Sequence, residues 1–218
     1  FMNKKLFGIL SSFLFMFFVT ANANAGSIGI GIAQWDVDGS GTENVQDVND
    51  NTGTHSETIS GVPSIFIESE PNNGWVFGLD FIPVGAEFIS SSKTQTNVTT
   101  AAGATESKTQ KVEGDLDNHL TFYVEKEVAP GIYLKGGVIS VDVTSNESIG
   151  TGSEYGNDTI YGWTGGLGYK HDMGSMFIKA ELTYNEYETI KLSSSNTTNS
   201  VTGDIDATTG KIAIGYKF

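Results

Sequence analysis

The chain has 218 residues, 26 acids against 12 bases and a formal net charge of −14, every base being Lys. With no Cys there is no disulfide, no lipid attachment through a thiol and no thiolate metal site, and the acidity without any basic patch argues against a nucleic-acid partner. High Gly (27), low Pro (4) and only 17 % charged residues point to one β domain with polar loops.

In chain order, Asn3, Lys4 and Lys5 give a positive start, Leu6 to Val19 is an apolar run, and Ala23-Asn24-Ala25 has a small-x-small pattern. Residues 1–25 therefore read as a cleavable signal peptide and 26–218 as the mature domain. The apolar run is short for a membrane-spanning helix, which makes an uncleaved anchor the lesser reading. No other run resembles a membrane helix, so an exported membrane protein of this sequence must span as a closed barrel.

The mature chain divides into eight staves with a period of two. Stave one, Ser27 to Val37, puts Ile28, Ile30 and Ile32 on one face and Gly29, Gly31 and Ala33 on the other. Stave two, Val62 to Glu70, has Ile65 and Ile67 outward and Ser64, Phe66 and Glu68 inward; stave three, Trp75 to Gly85, has Trp75, Phe77, Leu79 and Phe81 outward and Asp80 inward. Stave four, Asn118 to Val128, alternates Leu120, Phe122 and Val124 with Thr121, Tyr123 and Glu125. Staves five (Ile132 to Val143), six (Ile160 to His171) and seven (Ser175 to Tyr187) repeat the pattern. In stave five the apolar parity switches after Gly136-Gly137, and a bulge there is expected to restore it. Stave eight, Gly210 to Phe218, carries Ile212, Ile214, Tyr216 and Phe218 on one face and Lys211, Ala213 and Gly215 on the other.

Tight turns at Pro71-Asn72-Asn73, Ala129-Pro130-Gly131 and Asp172-Met173-Gly174 alternate with long polar connections over 38–60, 86–116, 144–159 and 188–204. A meander threaded through a membrane has this order, with short turns at one end and long loops at the other. The fold class is thus all-β: an eight-stranded antiparallel up-and-down transmembrane β-barrel, with short periplasmic turns and four long extracellular loops. A soluble lipocalin-like barrel is the structural rival, but it would bury the apolar face inward.

Register around Pro130 sets Glu125 opposite Lys135, and register around Met173 sets Gly168 near Lys179 and Gly166 near Glu181. The inward face then carries an expected charge network of Glu68, Asp80, Glu125 and Glu181 with Lys135, Lys170, Lys179 and Lys211. Balance matters because unpaired charges in a narrow barrel are desolvated; the alternative is water-solvated charges without fixed partners. Gly29, Gly31, Ala33, Ala213 and Gly215 make a thin wall where staves eight and one meet, giving space to long side chains from the opposite wall.

These staves, the turn and loop order and the ending Ile212-x-Ile214-x-Tyr216-x-Phe218 resemble the small eight-stranded outer-membrane barrels, such as the OmpA transmembrane domain and the OmpX-like proteins. The resemblance covers the whole mature chain. It implies location in the outer membrane, contact with membrane lipid and lipopolysaccharide, a monomeric barrel, and delivery by the barrel assembly machinery. Ile212, Ile214, Tyr216 and Phe218 would be the assembly signal. A peptidoglycan-binding domain of the OmpA type is not expected after Phe218.

An eight-stranded interior is filled by side chains, which disfavours a general porin and favours a structural, surface-exposed protein acting through acidic, Ser/Thr-rich loops in adhesion or surface contact. A narrow porin-like channel is the alternative. In the first loop, Asp36, Asp38, Ser40, Asn44 and Asp47 stand at positions one, three, five, nine and twelve with Gly41 at six, which echoes a Ca²⁺ loop. The flanking helices and the final Glu are missing, and a solvated acidic hairpin is the simpler reading. No other cofactor is expected. An outer-membrane lipid-modifying enzyme is the third reading, but His55, His119 and His171 assemble no triad by spacing, so no catalytic residue is assigned.

Overall fold

The computed structural model describes residues 26–45, 49–83, 86–99, 105–148, 155–195 and 200–218, with side chains over 26–42, 52–83, 116–144, 155–195 and 200–218. The expected signal peptide, 1–25, lies outside the described residues. Ten strands form one antiparallel sheet: β1 (Gly26–Val45), β2 (Asn49–Ser69), β3 (Trp75–Ile82), β4 (Ala86–Thr99), β5 (Thr105–Ala129), β6 (Ile132–Ser148), β7 (Asp158–Met173), β8 (Met176–Tyr187), β9 (Ile190–Ser193) and β10 (Ser200–Lys217). The neighbour order β1-β2-β3-β5-β6-β7-β8-β10 closes through β10 onto β1. The ring therefore has eight staves; β4 pairs with β5 and β9 with β10, both beyond the ring proper. The closing seam runs from Ser27↔Lys217 to Asn44↔Ser200, and Gly26 and Phe218 exchange both backbone hydrogen bonds at its end.

Where side chains are described, burial alternates along the staves except at bulges, so each stave has one buried and one exposed face. The exposed face is the apolar one: Ile28, Ile30, Ile32, Leu134, Leu167 and Leu182 all point outward, and Ile212 is 68 % exposed. Trp75, Tyr169 and Tyr216 lie outward near the turn end, while Trp163 and Tyr184 pack together at 5.9 Å near the other. The buried face holds Glu, Lys, Asp and Thr as well as apolar residues. A barrel that is apolar outside and charged inside is built for lipid, not for water, and the soluble lipocalin-like rival has the opposite arrangement.

The tight connections are two-residue hairpins. Asn73 (φ 51°) and Gly74 (φ 75°) both have positive φ inside the Asn72↔Trp75 bridge, the geometry of a type I′ turn. Pro130-Gly131 joins Ala129↔Ile132, with Gly131 at φ 76°. At the third turn Met173 pairs with Met176 across Gly174-Ser175, so the register is two residues away from the sequence expectation: Gly168 faces Glu181 and Lys170 faces Lys179. The turn centres on Gly174, whose positive φ (74°) suits a hairpin, and not on Met173.

Much of the four long polar connections is strand, not loop. β1 and β2 stay paired out to Val45↔Asn49, and β4 with β5 to Thr99↔Thr105. Alternating Thr and Ser favour a pleated conformation, and pairing satisfies their backbone groups away from the wall. Three bulges bend the wall, one of them at Val128, the extra residue between Glu127↔Tyr133 and Ala129↔Ile132. Gly61 (φ 80°) is the extra residue where Ala33↔Val62 passes to Gln34↔Ser60. Between Asp117↔Asp142 and Leu120↔Ser140, the extra residue in β5 and the positive φ of Asn118 (51°) let both Leu116 and His119 point inward.

The bulge expected at Gly136-Gly137 is absent: Lys135↔Gly166, Gly136↔Gly165, Gly137↔Thr164 and Val138↔Trp163 run without a shift. Ile139, Val141 and Val143 are instead inward-facing and buried. The parity switch in the sequence marks a change in what fills the barrel, from charge to hydrocarbon. Introducing a cation at the outward face has a predictable cost: Ile212→Lys, halfway along the lipid-facing part of β10, is expected to destabilise the barrel by ~2–4 kcal/mol in urea unfolding from lipid vesicles.

Candidate functional site

The lumen is layered. Nearest the tight turns lies the charged layer, centred on Lys179. Its Nζ is 2.5 Å from Glu68, 2.5 Å from Glu125 and 3.2 Å from Glu181. Lys135 bonds Glu181 at 2.9 Å, Lys211 pairs with Asp80 and lies 3.7 Å from Glu181, and Lys170 lies 3.8 Å from Glu68. Tyr123 donates to Glu68 (2.9 Å), Tyr133 to Glu181 (2.7 Å) and Ser27 to Glu68 (3.2 Å). All eight residues singled out in the sequence meet in this one network. The group sums to zero net charge, which is the condition for keeping ions in a space of low dielectric.

Four aromatic rings wall the network, and each lies over a glycine directly across the ladder: Phe66 over Gly29, Tyr123 over Gly78, Tyr133 over Gly168 and Phe177 over Gly215. A Cβ on any of these glycines would overlap the ring. The thin wall at the seam therefore makes room chiefly for Phe66 and Phe177 from adjacent strands, with Lys211 beside Gly31, and not for charges from the far side. The lysines in turn sit over the rings: Lys135 is 3.9 Å from the Tyr123 centroid, Lys170 4.0 Å from Phe177 and Lys179 4.7 Å from Tyr133. Phe66 and Tyr123 are inward as the alternation of their staves predicts, and the same alternation also places Tyr133 and Phe177 inward, although neither is singled out from the sequence.

Toward the hairpin end the lumen is closed by hydrocarbon. Trp35, Val37, Val62, Ile82, Leu116, Ile139, Val141, Val143, Ile160, Tyr187, Ile205 and Ala207 belong to one buried cluster. His119 stands at its lower edge: Nε2 is 3.1 Å from the Tyr187 hydroxyl and the ring meets Trp35 edge-on at 5.0 Å. His55 lies on an exposed hairpin 3.4 Å from Glu57, and His171 is exposed near the turn end. The three histidines are thus in three separate places.

Three residues of the calcium-like spacing, Asp36, Asp38 and Ser40, are not brought together. Asp36, Asp38 and Ser40 project from the outward face of an extended strand, where Asp36 accepts from Thr58 (2.8 Å) and Asp38 from Ser56 (2.5 Å). Alternate residues of a strand are ~6.6 Å apart, so they cannot converge as a curled loop does. The Asn44 side chain and Asp47 lie outside the described residues. No group of three or more His, Asp or Glu among the described residues is set to hold a metal.

The Lys179 ammonium bridges three buried glutamates; Glu181 also reaches Lys135 and Glu68 also reaches Lys170, so Glu125 depends on it most. Lys179→Met is expected to destabilise the folded barrel by about 3–5 kcal/mol in urea unfolding, because it strands buried carboxylates. Adding Glu125→Gln to that variant should recover part of the loss, since one stranded charge is removed.

No protein-family model and no curated protein sequence matches the chain. Among solved structures it is similar to Ail, the attachment invasion locus protein of Yersinia pestis, at 16 % identity over 89 % of this chain and 99 % of that one, with a TM-score of 0.42. It is similar to OprG of Pseudomonas aeruginosa at 15 % identity over 89 % and 97 %, TM-score 0.47. With the outer-membrane protease OmpT of Escherichia coli the identity is 7 % over 91 % and 98 %, and the TM-score 0.50. At such identities the likeness speaks for the fold alone. Closed ring, apolar aromatic-edged exterior and salt-bridged lumen agree with it: the chain is a small eight-stranded transmembrane β-barrel of the outer-membrane kind.

Proposed function

We propose that this protein is a side-chain-filled outer-membrane barrel that acts as a rigid surface scaffold, holding its acidic, Ser/Thr-rich hairpins outside the cell for adhesion or surface contact. The observation that carries this reading is the doubly closed lumen. Ions crossing it would have to break the Lys179 network and then enter a layer of packed hydrocarbon. The narrow-channel reading requires both layers to open together.

In this reading the tight turns face the periplasm and the long hairpins face outward, consistent with residues 1–25 directing export. The outward Ile, Trp and Tyr side chains contact lipid and lipopolysaccharide, and the closed ring functions as a monomer. Ile212, Ile214 and Tyr216 face lipid on β10 beside the seam, which also suits recognition by the assembly machinery. The hairpins extend the wall by backbone pairing, which carries them on stiff supports.

Two measurements separate the readings. Planar-bilayer recording of the refolded barrel is expected to show no open-channel conductance, and steady ion current in the unmodified protein would favour the channel. Cells displaying a variant with 39–55 replaced by a two-residue Asn-Gly turn, which closes the Asp38↔Ser56 pair, should keep a heat-modifiable barrel and lose surface binding; equal binding would detach function from that hairpin.

A further inference from the structure

Between the charged layer and the hydrocarbon layer lies a cavity of about 50 Å³. Among the described residues, four buried polar side-chain atoms have no hydrogen-bond partner among the protein groups: Trp35 Nε1, Ser64 Oγ, Asp80 Oδ1 and His119 Nδ1. All four residues line this cavity, and each is more than nine-tenths buried. A polar atom in the interior is costly to leave without a hydrogen bond, so four around one space point to an occupant that satisfies them.

The chemistry of the lining selects that occupant. Trp35 Nε1 can only donate and the Asp80 carboxylate can only accept, so the occupant must do both. An anion would face the Asp80 carboxylate, and a cation would face Lys135 and Lys211, which also line the space. Water donates and accepts, and it needs only ~10–15 Å³ per molecule by this measure, so the volume admits several.

We propose that the cavity is a buried hydration site: a cluster of ordered waters that accepts from Trp35, donates to Asp80 and completes the hydrogen bonding of Ser64 and His119. The site links the two closures of the lumen. Below it, Asp80 holds Lys211 through one oxygen and offers the other to the cluster; above it, His119 holds Tyr187 through one nitrogen and offers the other. The waters thereby fix the orientation of side chains in both layers, whatever the hairpins bind.

Water-edited solid-state NMR of the full folded chain in lipid bilayers tests this. Magnetisation is expected to pass rapidly from water to the Trp35 indole N–H, although that side chain is buried. Ala33→Leu, whose larger side chain fills the cavity, should lower the transfer several-fold while the heat-modifiable gel shift of the folded barrel persists. Should that variant not fold, Ser64→Val should lower it as well. Absence of transfer in the unmodified protein overturns the proposal, as does transfer undiminished in the folded variant. A Trp35 indole shift that follows the exchange of chloride for gluconate would assign the space to an anion and overturn it too.

Discussion

The structure depends on closing a sheet so that no backbone group faces lipid unpaired. In hydrocarbon there is no water to satisfy an open edge, and every stranded N–H or C=O costs several kcal/mol. The antiparallel ladder between the first and last strands meets that constraint, with register fixed from Ser27↔Lys217 upward. Once the ring is closed at eight staves its bore is set, and the bore decides how much side chain must be fitted inside. The glycines opposite Phe66, Tyr123, Tyr133 and Phe177 are the local answer: a ring on one strand lies flat over the bare backbone of the next.

Closure also explains the unusual chemistry of the lumen. Lipid takes the apolar face, so the ionic groups fall inside and must neutralise one another. Four carboxylates and four ammonium groups do so around Lys179, with tyrosine hydroxyls taking up further lone pairs. Such a cluster is weak evidence for stability, since a hydrocarbon filling of equal volume can be as stable. Its asymmetry tells more: this barrel is ionic at one end and hydrocarbon at the other, so a permeating ion meets two barriers of opposite character.

Legibility in the sequence followed the range of the interactions. Glu125↔Lys135 agrees with the expectation, but the two-residue Pro130-Gly131 hairpin alone would set Glu125 opposite Gly136, and the extra residue Val128 restores the pair. The third hairpin was misplaced by two residues because Gly174, not Met173, takes the turn, and an error there moves every pair above it. The parity switch at Gly136-Gly137 was visible, but a switch of filling inside the barrel and a bulge in its wall leave the same trace in one strand. The two differ only when Ile139, Val141 and Val143 are seen beside Trp35, Leu116 and Ile160 from other strands. The calcium-like spacing shows the reverse failure: a motif defined by curled backbone has no meaning on a straight strand.

Alternation and turn order in the amino-acid sequence were enough to determine the number of staves and the eight charges that enter the lumen, but not the face of Ile139, Val141 and Val143, which no bulge returns to the outside. Period-two patterning is a property of each strand alone, and so it survives without knowledge of neighbours. Only the tertiary structure decided which ring covers which glycine, that Lys179 stands at the centre of the charges, and that His119 and Trp35 share a small polar space with Ser64 and Asp80. These are contacts between strands, some of neighbours across the ladder and some across the bore, as between Glu68 and Lys179, which are 111 positions apart. Their partners are set by the closure of the ring, which no single strand encodes.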